Sequence, residues 1–316
     1  MLGKVKPENV DTYLNKIERL FPEFKSDRRP DLEDIKKYYK DSFLGYLLFH
    51  SWEGAIHMAL SRNGSFSKND YFRQAEEVGD IIEQRNEGTS ALRIAEYGCG
   101  RAFNIKYLAE RFKPWSFLGV DVSEKNISSG QKLLKTSSNS EVQLGDFHNL
   151  SEIPSESFDA AFCVETLCHA EDLHLVLNSI HRTLKDNASF VVFDGFRASA
   201  SAPTESLKKA VKYTERAMAV PQFFTSQYFI ETAEKCGFEV EEVEDRSAEI
   251  MPNLIRLSDL AKAFFKVHFI SKLIVALLPK ALVTNSIAGL LMAVTVDSGA
   301  HQYKKLTMRK RHNKPS

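Results

Sequence analysis

Short apolar runs recur between Ala91 and Phe196, each closed by polar residues: "ALRIAEY", "SFLGVDV", "EVQLGD", "FDAAFCVE" and "SFVVFDGF". Each has the length and the β-branched or aromatic content of a strand. Between these runs the apolar spacing changes to that of a helix. Ile105, Leu108 and Phe112 share a face in "FNIKYLAERF", "SEKNISSGQKLL" reads as a helix, and Leu173, Leu177, Ile180 and Leu184 recur on one helical face. Strands alternating with helices predict an α/β fold, a doubly wound and mostly parallel sheet wrapped on both sides. Further along, "TESLKKAVKYTERAMAV" and "TSQYFIETAEKCG" read as helices, the second with Gly237 as its C-terminal cap. "FEVEEVED" and "YKKLTMRKR" then complete a seven-stranded set.

The pattern differs at both ends. Residues 1 to about 37 are charged and helical in character, with Arg28, Arg29 and Pro30 as a break, and residues 38–60 are unusually aromatic. A helix is expected from Tyr71 to Arg85. Near the other end, "LAKAFFKVHFISKLIVALLPKALVTNSIAGLLMAV" is rich in apolar residues but interrupted by Lys266, Lys272, Pro279 and Lys280. A membrane span needs roughly 20 apolar residues in succession, so this stretch reads as buried or membrane-surface helix. The expected organisation is a helical, aromatic-rich cap over 1–70, a sheet core over 71–248, an apolar helical lid over 249–303, and a last strand with a basic tail over 304–316.

Composition narrows the function classes. The 42 basic and 42 acidic residues cancel, so no global field favours nucleic acid. Cys99, Cys163, Cys168 and Cys236 form no zinc or redox spacing and lie mostly in apolar segments. Reduced, buried thiols in a cytoplasmic protein are the expectation. The first twenty residues are charged without an apolar core, so no signal peptide is expected. His174 and His181 stand two helical turns apart, too far to share a metal readily, and read as surface residues; no metal site is expected. After Gly299 the tail carries Lys304, Lys305, Arg309, Lys310, Arg311 and Lys314 without an acid. It fits a solvated last strand, or contact with an anionic membrane surface.

Candidate chemistry begins where the first strand ends, at "EYGCGRAF". Ligands of doubly wound sheets sit outside the carboxyl ends of the strands. Glycine lets a ligand approach the main chain where a Cβ would collide, and the next helix offers free N–H groups. A dinucleotide usually asks for a third glycine, and Phe103 stands in its place. S-adenosylmethionine carries no phosphate and needs only two close approaches, at Gly98 and Gly100, and an acid for its ribose, Asp121. Asp146, ending the third strand in "LGDFH", is placed to accept from an adenine amino group, with Phe147 over the ring face. Glu96, Val164 and Tyr39 complete the candidate cofactor set.

The segments "AEYGCGRAF", "GVDVS", "GDFHNL", "FDAAFCVETLCHA" and "LNSIHRTLKDNASFVVFD" together resemble a class I S-adenosylmethionine-dependent methyltransferase. More narrowly, they resemble the sterol C-24 and tocopherol methyltransferase group. Glu165, Cys168 and His169 fall in register with that group's strand reading roughly "FDxxxxxEAxCHA". Tyr38, Tyr39, Tyr46, Trp52 and His57 echo its aromatic lead-in, with Glu53 in place of a glycine. "AEKCGFEVEEVED" and "NSIAGLLMAV" track its later strand and C-terminal helix, so the likeness runs from about 38 to 311. Ala102 replaces a usual glycine, and "KDNAS" a common "KPGG" turn. The resemblance implies a Rossmann-like methyltransferase fold and S-adenosylmethionine as cofactor.

Methyl transfer from a sulfonium is an in-line displacement that needs a dry, near-attack pose, and aromatic faces suit the cationic donor. Methylation of an alkene carbon leaves a cation that must lose a proton. Glu165 and His169, four apart and expected to share a helical face, are candidate bases, with His57 a third. Tyr46, Trp52 and Phe224 are the candidate acceptor contacts. The leading expectation is C-methylation of a sterol-like or isoprenoid lipid. N- or O-methylation of a small metabolite, methylation of a prenyl diphosphate, and a non-catalytic protein on the same fold are alternatives. The acceptor and the oligomeric state stay open.

Overall fold

The computed structural model describes residues 10–26, 54–199, 204–221, 223–278 and 280–311. Seven strands form one sheet: β1 (Arg93–Tyr97), β2 (Ser116–Asp121), β3 (Ser140–Leu144), β4 (Phe158–Val164), β5 (Leu184–Arg197), β6 (Phe238–Asp245) and β7 (His301–Lys310). Their spatial order is β3-β2-β1-β4-β5-β7-β6. β1 to β5 run parallel, and β7 runs antiparallel between β5 and β6. The fold is the mostly parallel, doubly wound sheet expected from the strand and helix alternation. The order reverses between β1 and β4, which makes the carboxyl ends of those two strands the switch point.

Helices α1 (Val10–Leu20), α2 (Arg73–Arg85), α3 (Phe103–Arg111), α4 (Glu124–Leu133), α5 (Leu173–Thr183), α6 (Glu205–Ala217) and α7 (Ser226–Lys235) precede three more inserted between β6 and β7. These are α8 (Ser247–Phe264), α9 (His268–Leu277) and α10 (Lys280–Asp297). One sheet face buries Val78 and Ile82 of α2, Ile105 and Leu108 of α3, and Ile250 and Leu254 of α8. The other buries Leu177 and Ile180 of α5 and Phe229 and Ala233 of α7. A third core joins Leu14 and Ile17 of α1, Tyr213 of α6 and Ile287 and Leu291 of α10. The apolar C-terminal stretch is therefore helical because it packs on α1 and α6, and it shares their core.

Several expectations are corrected. Leu184 does not continue the α5 face: it opens β5 opposite Phe158, and a register irregularity separates that pair from Ala160–Ser189. "KDNAS" is accordingly strand rather than turn, with Asn187 alone in the left-handed region at φ 62°. His181, read as a surface residue, is half-buried with its ring 5.2 Å from that of Phe238. Of the basic tail, Lys305, Arg309 and Lys310 are engaged, and Lys314 lies outside the described residues. β7 lies inside the sheet, so its cations meet the acids of β6: Lys305 pairs with Glu244, and Arg309 with Glu241 at 2.8 Å. Lys310 Nζ donates to the Leu184 carbonyl at 2.7 Å, with the residue 4% exposed.

Candidate active site

The loop from β1 to α3 turns through three left-handed residues, Gly98 (φ 73°), Gly100 (φ 53°) and Ala102 (φ 62°). What lies against the two glycines is protein. A Cβ on Gly98 would come within 1.9 Å of Thr166 Oγ1, and one on Gly100 within 2.6 Å of Ile56 Cδ1. The bare backbone thus lets the loop pack on the segment after β4 at Gly98 and on Ile56 at Gly100.

Asp121, at the end of β2, holds the loop in place. Its Oδ2 accepts from Gly100 N at 2.9 Å, and its Oδ1 from Ser123 N at 2.8 Å and Asn126 Nδ2 at 3.2 Å. Desolvation raises its pKa to about 6 against those hydrogen bonds. Asp146 lies two residues past the end of β3, not within it, and accepts from the backbone and ring of His148 at 2.9 and 2.7 Å. Phe147 follows, half-buried, its ring 4.9 Å from that of His148.

Glu165 follows β4 in the left-handed region at φ 51°. It does not start a helix. A short 3-10 turn, Leu167–His169, comes next, so the expected shared helical face with His169 is absent. Glu165 Oε1 accepts from Met58 N at 2.6 Å, its own N–H donates to Phe193 O at 2.7 Å, and it hydrogen-bonds the Tyr303 side chain. Burial raises its pKa to about 8. His169 is 8% exposed, hydrogen-bonds the Ala219 backbone, and is pushed down to about 4 by desolvation.

A cavity of about 60 Å³ at the switch point gathers most of the candidates. Gly98, Asp121, Asp146, Phe147 and Val164 line it from the cofactor set, and Glu165 and His169 from the base set. Ile56, Thr166 and His148 also line it, and sequence reading did not single them out.

Three candidates stand behind this wall. Glu96 is 2% exposed; its Oε1 accepts from Asn104 Nδ2 at 2.8 Å, its Oε2 is buried without a partner, and desolvation raises it to about 8. Gly100 does not line the cavity. His57 is enclosed by Tyr71 and Phe103, with ring centroids at 6.1 and 5.7 Å. Its Nδ1 sits 3.1 Å from the Met58 carbonyl, which can only accept, so Nδ1 carries the proton. Asn104 hydrogen-bonds the His57 side chain, and burial lowers the ring to about 4. Phe224 is not brought to the site: its ring packs 5.6 Å from that of Tyr228, while Phe223 lies inward with Cys168 and Val220. Tyr39, Tyr46 and Trp52 lie outside the described residues.

Other residues complete the cluster. Gln74 Nε2 donates to Met58 O at 2.6 Å and lies 3.3 Å from Tyr303 Oη. Asp194, inside β5 three residues before its end and 2% exposed, accepts from Cys168 N at 3.1 Å and is raised to about 6 by burial. Asp194 carried a signal, an acid in "VVFDGF" near a strand end. Gln74 and Tyr303 carried none, being 229 residues apart.

The site is therefore rich in carboxyl groups held above their usual pKa by burial: Glu96, Asp121, Glu165 and Asp194. Each would ionise more readily beside a cation. The donor set thus fits the cationic sulfonium and ammonium of S-adenosylmethionine and opposes an anionic pyrophosphate.

Comparison with known proteins agrees. A methyltransferase domain family model matches residues 95–192. A sterol 24-C-methyltransferase of Yarrowia lipolytica is 22% identical over 271 residues, 78% of this chain and 68% of that protein. An S-adenosyl-L-methionine-dependent Diels-Alderase, iccD, of Talaromyces variabilis is 27% identical over 77% of this chain and 84% of its own length. Among solved structures, the cyclopropane synthase MmaA2 of Mycobacterium tuberculosis superposes with a TM-score of 0.72 at 15% identity, over 90% of this chain and all of that one. Sheet order, loop geometry and relatives converge: the chain carries a methyltransferase domain over residues 95–192, is an S-adenosylmethionine-dependent methyltransferase, and resembles the class I enzymes of the sterol C-24 group.

Proposed function

We propose that the chain methylates a carbon of a sterol-like or isoprenoid lipid. One observation carries the reading: a single cavity at the switch point is lined both by the acids suited to an adenosyl cation and by the half-buried, desolvated Glu165 beside them. The names of relatives such as the sterol 24-C-methyltransferase favour the lipid class, and the apolar helices α8 to α10 suit a dry site for such an acceptor.

In this reading Gly98, Asp121, Asp146, Phe147 and Val164 hold the cofactor, with Glu96 behind them. The cofactor supplies an electrophilic methyl group. Asp121 accepts from the ribose hydroxyls while keeping Gly100 in place, and Asp146 accepts from the adenine amino group. Glu165 is the preferred base. Burial alone holds it protonated up to about pH 8; a neighbouring cation lowers that value and delivers the carboxylate where a proton must be removed. Tyr303 and Met58 N fix its direction. His169 and His57, held neutral by burial, are the weaker bases. Overall the acceptor's double-bond electrons form a new C–C bond to the methyl, the methyl–sulfur bond breaks, and the acceptor loses a proton to Glu165.

A second reading has a specific support, the Diels-Alderase relative: cycloaddition in the same cavity, without methyl transfer. The test is incubation of the purified chain with methyl-labelled cofactor and a lipid extract, followed by mass spectrometry. Label in a sterol or isoprenoid product is expected. Label confined to polar amines or hydroxyls contradicts the lipid assignment, and an acceptor that is rearranged but unlabelled favours cycloaddition. Glu165→Gln is expected to keep cofactor affinity and slow turnover by about 100-fold or more; unchanged turnover removes Glu165 from the reaction.

A further inference from the structure

We infer that the outer face of α9 docks this enzyme on an anionic lipid surface. The inner side of α9 lies against α1 and α10, with Ser271 fully buried and Val275 packed on the helical core. Its other side has no such cover among the described residues. Phe269, Leu273 and Leu277 follow at four-residue spacing and so share one face, and they are 77%, 53% and 72% exposed. Val267 and Leu278 extend the apolar row at 47% and 44% exposure. A contiguous apolar surface of this kind marks an interaction site.

Charge decides what covers it. Lys266 and Lys272 are exposed beside the row and pair with no carboxylate among the described residues. From Leu260 to Val296 the chain has Lys262, Lys266, Lys272 and Lys280 and no Asp or Glu. An apolar helical face flanked by the exposed Lys266 and Lys272 matches the acyl and anionic headgroup layers of a membrane surface. A second copy docking face to face would instead oppose lysine to lysine. No helix among the described residues is long and apolar enough to cross a membrane, so the contact is interfacial. The sequence offered both the basic tail and this apolar stretch for membrane contact; Lys305, Arg309 and Lys310 of the tail are engaged inside the sheet, and α9 of the apolar stretch carries the exposed face.

The face is tied to the site by one rigid element. Asn253 of α8 accepts from Ala59 N at 3.2 Å, two residues beyond His57, and α8 continues for eleven residues, about 17 Å, to the turn before α9. Docking would thus fix one end of a helix whose other part holds the site loop.

Flotation of the full chain with vesicles tests this without reference to methyl transfer, so its outcome is independent of the acceptor assigned above. The chain is expected to float with phosphatidylcholine vesicles containing about one-third phosphatidylserine, less so as salt rises, and weakly with phosphatidylcholine alone. F269S/L273S/L277S is expected to abolish flotation. K266E/K272E, which leaves the apolar row intact and serves should the triple variant misfold, is expected to weaken it by about tenfold or more. Failure of the native chain to float, or flotation of K266E/K272E at native strength, overturns the inference. So does a native dimer in sedimentation that F269S/L273S/L277S converts to monomer, because the face then belongs to a second copy.

Discussion

Gly98 sits at φ 73° where a Cβ would fall 1.9 Å from Thr166 Oγ1 and 2.5 Å from Thr166 Cβ. Both the torsion and the contact forbid a side chain. Gly98→Ala is expected to cost more than about 2 kcal/mol in urea denaturation, with part recovered when Thr166→Gly is added; native stability of Gly98→Ala would refute this account of the turn. The glycine pair was legible because its spacing follows a strand-like run. Its partner was not, because Thr166 is brought there by strand order rather than by local sequence. The same holds for Tyr303 and Gln74, whose meeting around Glu165 depends on β7 entering the middle of the sheet. Phe224 was misplaced for a related reason: adjacent Phe223 and Phe224 are equivalent as letters, and only the packing of Phe223 against Gly195 and His301 separates them.

At the scale of elements, β7 does more than its short polar sequence advertises. It pairs from Ser189 to Arg197 on one side and from Phe238 to Asp245 on the other, and its lysines neutralise the acids of β6. Removing residues 301–316 would leave two open edges and strand those acids. The truncated chain is expected to lose its cooperative melting transition by circular dichroism; a cooperative melt close to that of the full chain would contradict the role given to this strand. Strand and helix identities were legible from periodicity, whereas boundaries were not. Leu184 fits the α5 repeat, yet pairing with Phe158 draws it into β5.

At the scale of the molecule, the buried acids set the pH response. Glu96 and Glu165, ordinarily near 4.5, are held at about 8 in the folded chain. The fold therefore keeps protons that the unfolded chain has released, and the stability linked to them is complete below about pH 4.5 and is lost as pH rises toward 8. His57 and His169, held at about 4, act in the opposite sense, but only below about 6.5. Between pH 6.5 and 8 the glutamates dominate. The melting temperature of the cofactor-free chain is expected to fall across that window, by up to about 1.4 kcal/mol of stability per pH unit for each acid, and Glu165→Gln to flatten the slope. A flat or rising profile in the native chain would contradict the burial of these groups. The sequence displayed these acids one by one at strand ends; their common burial, and hence this response, exists only in the assembled sheet.

The central claim is that a cluster of buried, proton-holding carboxyls at the switch point receives a cationic adenosyl cofactor. Titration calorimetry of the full chain with S-adenosylmethionine near pH 7.5, in two buffers of different ionisation enthalpy, tests it most directly. The account predicts saturable binding with net release of protons; binding is lost in Asp121→Ala, while Glu165→Gln binds with native affinity and releases fewer protons. Absence of binding by the native chain, or binding with no proton release, would contradict it.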